Sequence, residues 1–361
     1  MDDKAPWARM LLLTTDDPAA PGGGRAMLSR LAAGLLEEIH GPDFTILRLP
    51  ARASTAMLDG VRGRLNGLDA GMLDRLCLQI AAEAITRVFI DGSNLGAAAR
   101  EIKRRCPGVR VVTLFHNCET TFFAEAFRAS PGVKPLAVLA GHWRAERMAV
   151  AASDCVIALC RRDSDNLERR FGRGADAILP MALVDSHDPA AAPVRARGRY
   201  ALFVGGGFYG NIEGLRWYAR EIAPRLGLRT LVIGRGLGAP LADLADNPHV
   251  ELIGEVDALA PYYAGAAVVV APIRSGSGMK TKVAEALMHG KIVVGTSEAF
   301  AGYGPEVLAA NRCRDEAEGF ARAVQAVAAA DPPRFDPAQR ALYERFHSPE
   351  AARARLASII V

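Results

Sequence analysis

Val268–Thr296 reads VVVAPIRSGSGMKTKVAEALMHGKIVVGT. Val268–Ala271 is a short β-branched run suited to a buried strand, and Pro272, with no amide hydrogen to donate, ends it. Gly276 and Gly278 bracket Ser277 where the chain must turn sharply and let something approach the backbone. From Met279 the apolar spacing is helical: Met279, Val283, Ala286 and Leu287 share one face, and Gly290 is a left-handed stop. Ile292–Gly295 is the next buried strand. A glycine turn feeding a helix N-terminus is an anion site, because unpaired N–H groups and the positive end of the dipole point out of it. Lys280 and Lys282 place two cations in the first turn, where the dipole disfavours them; a phosphate between them would offset that. The same residues also describe a solvated helix end with an ordinary (i, i+3) Lys282–Glu285 ion pair, and spacing alone leaves both readings open.

At 361 residues the chain is long for one core, so two domains of ordinary size are expected. Half of the residues are apolar and 23% are charged, a globular balance. The longest uncharged run, Ala258–Ile273, has 16 residues and two prolines, too short and too broken to span a bilayer. The N-terminus, MDDKAPWARM, carries acids where a signal peptide carries bases, so a cytoplasmic protein is expected. Six cysteines (Cys77, Cys106, Cys118, Cys155, Cys160, Cys313) show no C-x-x-C pair and no histidine at zinc spacing, which reads as reduced, mostly buried thiols and no metal. A net charge of +4 and a pI near 8.8 are too mild for nucleic acid and compatible with loose attraction to an anionic membrane face.

Strands are expected at Arg9–Thr14, Phe44–Leu49, Arg87–Ile90, Val109–Phe115, Asp154–Leu159 and Ile178–Val184, with helices at about Ala26–Glu38, Leu73–Ala84 and Leu95–Arg104. A long helical region, Thr121–Ser153, breaks around Ser130–Pro135. This alternation gives a parallel sheet wrapped by helices, with ligands beyond the carboxyl ends of the strands. Gly22, Gly23 and Gly24 sit between the first strand and its helix. His116-Asn117-Cys118-Glu119 follows a strand end, where histidine, asparagine and glutamate suit hydroxyl orientation or proton shuttling; Asn117 as a helix cap is the plainer reading. Asp163-Ser164-Asp165 is a D-x-D inside the first turn of a helix, where acids complement the dipole. Asp185–Arg199, with two prolines and alternating arginines, has linker composition. The pattern then restarts: strand Tyr200–Val204, GGGFYGN, helix Ile212–Leu226, strand Thr230–Ile233, GRG, a helix, strand Val250–Ile253, helix Leu259–Ala264, and the stretch quoted above. Two α/β domains facing across a cleft result.

Gly205-Gly206-Gly207-Phe208-Tyr209-Gly210 fits G-x-G-x-x-G after a strand. The dinucleotide fingerprint also needs an acid ending the next strand, and here that strand ends Ile233-Gly234-Arg235. The match does not make a nicotinamide site, though a close backbone approach to phosphate survives it.

Taken together, FVGGGFYGNIEGLRWYAREIAP, LVIGRG, HVELIGEVDALAPYYAGAAVVVAPI and RSGSGMKTKVAEALMHGKIVVGT resemble glycosyltransferase family 4. The early glycine loop, HNCE and DCVIALCRRDSDNL agree with it. The resemblance covers essentially the whole chain. It implies a GT-B fold of two Rossmann-like, doubly wound domains: residues 1–184 with a returning helix at 348–361 on the acceptor side, a linker at 185–199, and a donor domain at 200–347. It further implies retaining, metal-independent transfer from a nucleotide-diphosphate sugar, with no other cofactor.

Position by position, Glu285 matches the family's carboxylate on the donor ribose. Gly276, Ser277, Gly278, Met279, Lys280, Thr281 and Lys282 match the loop around the donor sugar and pyrophosphate. Ile253 and Gly254 match the edge that reads the base through backbone groups. His116 matches the histidine that closes over the donor, with Gly22–Gly24, Asn117 and Glu119 on the acceptor side. Many members carry a glutamate where this chain has Ser277, and arginine and lysine where it has Gly206, Gly207 and Asn211. The pyrophosphate cations would then be Lys280 and Lys282, with Arg235 or Arg274; Gly205 and Gly234 complete the donor turns. His116, Lys280 and Glu285 are the expected catalytic set. The resemblance implies a carbohydrate or lipid-linked acceptor without selecting one, and the breadth of the family, together with the basic pI, suggests bacterial polysaccharide or glycolipid assembly at the inner membrane face. A GT-B protein that binds sugar nucleotides without transfer, and a sugar-nucleotide epimerase, are the alternatives.

Overall fold

The computed structural model describes residues 9–18, 23–49, 57–194, 198–276 and 278–360. Gly22 and Ser277, both singled out above, lie outside the described residues, as do 195–197 of the segment with linker composition. The chain divides into two compact units. Unit 1 takes the described residues up to Met181 together with 352–360, and unit 2 is Ala182–Ala351.

Unit 1 runs β1 Met10–Thr14, α1 Gly24–His40, β2 Phe44–Arg48, α2 Met57–Val61, α3 Ala70–Ala82, β3 Arg87–Asp91, α4 Gly96–Arg105, β4 Arg110–Phe115, α5 Glu119–Ala129, α6 Val133–Ala152, β5 Cys155–Ala158, α7 Arg161–Phe171 and β6 Ala177–Ile178. Its sheet, ordered β2-β1-β3-β4-β5-β6, is parallel throughout. Apolar residues on both faces of β1, β3 and β4 are fully buried, as a sheet covered by helices on both sides requires. On one face Leu11, Leu13, Val88, Ile90 and Val111 pack with Leu76, Ile80 and Ile102 from α3 and α4.

Unit 2 runs β7 Tyr200–Val204, α8 Tyr209–Trp217, β8 Arg229–Ile233, β9 Val250–Gly254, α9 Ala260–Gly265, β10 Ala266–Ala271, α10 Thr281–Met288, β11 Val293–Gly295, α11 Pro305–Ala310, β12 Arg312–Cys313, α12 Ala317–Ala329 and α13 Pro337–Phe346. Its parallel sheet is ordered β12-β11-β10-β7-β8-β9. Counted from β7, that is the strand order of a dinucleotide-type doubly wound sheet, with its switch point between β7 and β10. In unit 1 the order reverses between β1 and β3. The last helix, α14 Pro349–Ile360, starts in unit 2, capped where the Ala351 amide donates to Ser348 Oγ at 3.2 Å. It ends on unit 1, where Arg87 and Arg110 donate to the carbonyls of Ile360 and Ile359.

Three expectations need correction. The strand expected over Ile178–Val184 is only a two-residue pairing, Ala177–Ile178. Pro180 has no amide to give to the ladder, and Leu183 instead donates to the His347 carbonyl at 2.9 Å. No α-helix forms after Gly-Arg-Gly; a single 3-10 turn, Ala242–Leu244, stands there, because Gly236, Gly238, Pro240 and Pro248 leave too few consecutive residues to pay for nucleating one. The helix expected over Ile212–Leu226 is α-helical only to Trp217, then widens to a π turn and tightens to a 3-10 turn at Ala223–Arg225, around Pro224. The start of the segment with linker composition contacts the rest of unit 2: Asp185 accepts from both terminal nitrogens of Arg340 at 3.0 and 2.5 Å, and the Ser186 amide meets the Met288 sulfur at 3.3 Å.

Other readings match. The helical region breaks between Ala129 and Val133, and Gly290 adopts the left-handed φ of +63° that ends α10. Asp163 lies buried in the first turn of α7, accepting from the Cys160 thiol at 3.1 Å. All six cysteines are free thiols, four of them buried. Among the described residues no helix is long and apolar enough to cross a membrane.

Candidate functional site

Each sheet presents its polar side chains at its switch point. In unit 2 the turns after β7 and β8 lie against each other: Gly205 N donates to Ile233 O and Gly207 N to Arg235 O, both at 2.9 Å. A methyl group at Gly207 would lie 2.1 Å from the Gly236 carbonyl oxygen, and one at Gly234 1.9 Å from that of Gly205. The close approach that these glycines permit is therefore first to neighbouring backbone. Gly206 differs, since its nearest neighbour would be the Arg235 carbonyl at 3.5 Å. At the end of β9 the pairing slips, Val232 opposing Leu252 and Ile233 opposing Gly254, so Ile253 is the extra residue of a bulge. The Gly254 carbonyl already accepts from Gly234 N at 2.8 Å.

Beyond β10 the turn is carried by positive φ at Gly276 (+124°) and Gly278 (+69°), which a side chain would strain. Met279 is buried beneath it, and Thr281 opens α10. Lys280 is the residue capping that helix and Lys282 lies within its first turn, and of the two readings left open by spacing the solvated helix end does not hold: they are 9% and 7% exposed. Lys280 Nζ pairs with Glu298 Oε1 at 2.7 Å and donates to Gly278 O at 3.0 Å. Lys282 Nζ donates to Asn211 Oδ1 at 3.0 Å and sits 5.4 Å over the Phe203 ring. Asn211 in turn donates to Gly206 O at 2.8 Å. The cause is the wrapping of the helix start. Tyr303, from the turn after β11, donates to Lys280 O at 2.6 Å and accepts from Ala284 N at 3.0 Å, walling off one side. Burial, with repulsion from Lys280, pushes the Lys282 ammonium down to about 8, and Glu285 opposes the shift. Glu285 is itself raised by burial, against lowering by Tyr263 and Lys282. No close Lys282–Glu285 ion pair forms among the described residues. Arg235 is exposed, and Arg274, also exposed, stacks over Trp217 at 5.1 Å. Phe208 and Tyr209, exposed at the start of α8 and 4.3 Å apart, form an aromatic pair at this switch point that spacing had not singled out.

In unit 1, His116 and Asp91 follow the same strand-end rule. His116 Nε2 lies 2.6 Å from Asp91 Oδ1, and Thr14 Oγ1 donates to Asp91 Oδ2 at 2.7 Å. Asp91 is 2% exposed. Its carboxyl is nonetheless held down at about 2, because His116, Thr14 and Ser29 outweigh the desolvation that raises it. The other ring nitrogen, His116 Nδ1, is buried without a partner, as is Asn117 Oδ1. Arg25, in the first turn of α1 beyond Gly23 and Gly24, donates to Asn94 at 2.7 Å and pairs with Glu119 at 3.4 Å. Burial raises Glu119, against Arg25 and His116. Asn117 does not cap α5. That work falls to the fully buried Glu146 of α6, which accepts from the amides of Glu119 and Thr120 at 2.8 Å and from Ser93 at 3.1 Å. Desolvation pushes Glu146 up to about 7 despite these donors.

Asp91, Glu146, Arg25, Asn94, Glu298 and Tyr303 were absent from the sequence candidates. Asp91 had a signal, an acid ending the apolar run VFI; Glu146, inside a helix, had none. Unit 2 thus offers a helix start, two buried ammonium groups and turn amides to an anion, and unit 1 an oriented imidazole to a hydroxyl. Among the described residues no three His, Cys, Asp or Glu side chains gather as a metal set.

Residues 198–330, about three quarters of unit 2, match the family model "Glycosyl transferases group 1". No curated protein sequence matches the chain. Solved structures share the whole architecture. Sucrose-phosphate synthase from Thermosynechococcus elongatus is 16% identical, with 97% of this chain and 98% of that chain covered and a TM-score of 0.72. The lipopolysaccharide outer core galactosyltransferase WaaB, in its apo form, is 11% identical over 97% and 99%, with a TM-score of 0.63. HepE of Anabaena, solved with UDP and glucose, is 14% identical over 97% and 98%, with a TM-score of 0.61. The fold is GT-B.

Proposed function

We propose that the protein is a retaining, metal-independent glycosyltransferase of the family 4 type, using a nucleotide-diphosphate sugar and no other cofactor. The single observation that carries this is the start of α10: a positive-φ glycine turn and two buried lysines converge on a helix N-terminus at the switch point of unit 2. Charge develops on the diphosphate leaving group as the glycosidic bond breaks, and fixed cations and amides aimed there lower the barrier. Glu285 would hold the donor ribose, and Ile253 and Gly254 the base. His116, with Glu119 and Arg25, would meet the acceptor or donor sugar hydroxyls from unit 1. The match of residues 198–330 supports the donor assignment. Complexes of the neighbour HepE with UDP and UDP-glucose support a uridine nucleotide as the first to try. A carbohydrate or lipid-linked acceptor, in polysaccharide or glycolipid assembly on the cytoplasmic membrane face, completes the proposal.

Binding without transfer is the second reading, favoured by the Lys280–Glu298 pair, which neutralises one cation in advance. The test is nucleotide diphosphate release from a panel of nucleotide sugars, with and without saccharide acceptors. Acceptor-dependent release supports transfer; binding with no release supports the second reading. An epimerised sugar nucleotide would indicate isomerisation, and no binding at all sinks the proposal.

A further inference from the structure

A cavity of about 710 Å³ opens in unit 2 at the far end of α10 from the lysines. Lys291 Nζ donates to the carbonyl of Ala266, the first residue of β10, at 2.9 Å. His289 and Gly290 therefore lie beside the start of that strand, whereas the glycine turn follows its end. The wall holds four rings. Tyr263 and His289, 1% and 2% exposed, stack at 4.2 Å and 8°. His187 meets His289 edge-on at 5.6 Å and lies along Phe335 at 4.7 Å and 29°. Tyr263 and His289 back the wall, and the part-exposed His187 and Phe335 give it a flat apolar face.

One polar atom on this wall, His289 Nε2, is buried with no hydrogen-bond partner, whereas the Tyr263 hydroxyl is turned toward Glu285. An unpaired buried polar atom is costly, and on a cavity wall it points to a ligand that supplies the partner. Burial holds His289 far down, at about 3, so the neutral ring offers one donor and one acceptor nitrogen. The charges on the wall cancel. Arg340 is engaged by Asp185, Glu344 and the Met288 carbonyl, which leaves Asp188 and Arg334, one of each sign. An anion would meet as much repulsion as attraction, and a metal has no ligand set among the described residues. An uncharged, hydroxyl-rich ligand with flat apolar faces fits rings, neutral imidazole and balanced charges together.

We propose that this cavity is a second saccharide site of unit 2, distinct from the nucleotide-sugar end of α10. It communicates with that end through one helical turn. Tyr263, flat on His289, has its hydroxyl close enough to Glu285 for each to perturb the other, short of an aligned hydrogen bond, and the His289 amide donates to the Glu285 carbonyl at 3.2 Å. The site stands apart from the transferase reading; only the effect on Glu285 rests on it.

The test is saturation-transfer NMR on the full chain with maltose as the probe, with and without saturating UDP. Transfer to maltose should persist with UDP bound. His187→Ala and Arg334→Ala should each weaken maltose binding about tenfold, with melting temperature and UDP affinity unchanged. Loss of the maltose signal on adding UDP, or indifference to both variants, places the sugar elsewhere and overturns the proposal. So does the absence of any transfer. Glucose 6-phosphate binding in preference to glucose, with the same variant sensitivity, would make it an anion site and reject the ligand class. A chain that binds maltose here but not UDP keeps this site and loses the donor reading.

Discussion

The imidazole Nε2 of His116 lies 2.6 Å from Oδ1 of Asp91, the residue on which β3 ends. Because Asp91 is held ionised by His116, Thr14 and Ser29, the carboxylate can only accept, so Nε2 carries the proton and Nδ1 is the nitrogen left for a ligand. Asp91→Asn removes that constraint. Turnover should fall about 10- to 100-fold, the worth of one hydrogen bond to a charged group, while UDP affinity changes little. Long-range 15N spectra of His116 should show a changed tautomer mixture; an unchanged tautomer with lost activity would mean Asp91 acts otherwise. The folded Asp91 value, about 2, lies below its ordinary 3.8. Its contribution to stability is present above about pH 4 and is lost as pH falls toward 2, and Asp91→Asn should remove that step from acid unfolding.

Glu146 serves unit 1 differently, as the cap of a helix it does not belong to. In Glu146→Ala the amides of Glu119 and Thr120 and the Ser93 hydroxyl lose their acceptor. The expected cost is about 3 kcal/mol in urea unfolding, with faster hydrogen exchange at the Glu119 and Thr120 amides in particular. The folded value of about 7 exceeds the ordinary 4.5. The stability this group contributes is therefore fullest below about pH 4.5 and declines as pH rises to about 7. Glu146→Gln should flatten that slope, yet remain less stable, because its amide points a donor at donors.

Strand-and-helix alternation, the break before Pro135 and the Gly290 stop were legible because each depends on neighbours in sequence. The glycine turns were legible only in part. A run such as Gly205–Gly207 announces close approach, but whether to a phosphate or to the turn at Gly234–Gly236 is a matter of tertiary packing. Lys280 and Lys282 were found by spacing, while their burial depends on Glu298, Asn211 and Tyr303, residues 18, 71 and 23 positions away. Glu146 was invisible for the same reason: mid-helix glutamates are usually solvated, and nothing local distinguishes this one.

The two glycine roles can be separated. Gly207→Ala drives a methyl group to 2.1 Å from the Gly236 oxygen, and rigid backbone cannot give; it should cost about 3 kcal/mol or more. Gly206→Ala meets nothing closer than 3.5 Å and should melt like the parent chain. If the donor phosphates pass over this turn, Gly206→Ala lowers UDP affinity at unchanged stability, measured by calorimetry. Unchanged affinity would confine these glycines to packing.

If Lys282 meets the donor diphosphate, as proposed, it should make binding depend on pH. Its folded value, about 8, lies below the ordinary 10.5. The folded state is therefore penalised below about pH 8, and the penalty is relieved between about 8 and 10.5, where the folded chain has released a proton that the unfolded chain retains. A diphosphate beside the ammonium raises its pKa again. Binding of UDP near pH 8 should take up a fraction of a proton, read by calorimetry in buffers of different ionisation enthalpy, and affinity should fall as pH rises past about 8. Lys282→Met should abolish the uptake. No uptake by the parent chain would put the diphosphate elsewhere.

The Lys280–Glu298 pair decides between a cation that holds the diphosphate and one that merely holds the turn. Both side chains are largely buried, so Lys280→Ala alone strands Glu298 and should destabilise the chain by about 3 kcal/mol or more as well as impair turnover. Loss of activity in that variant therefore proves nothing by itself. Lys280→Met combined with Glu298→Gln removes both charges at similar volume, and its stability should return close to that of the parent chain. If Lys280 meets leaving-group charge, the double variant remains about 30- to 1,000-fold slow at saturating donor, because that contact strengthens as the bond breaks. Recovery of turnover along with the melting temperature would make the pair structural, and would leave Lys282, Arg235 and Arg274 as the cations to examine.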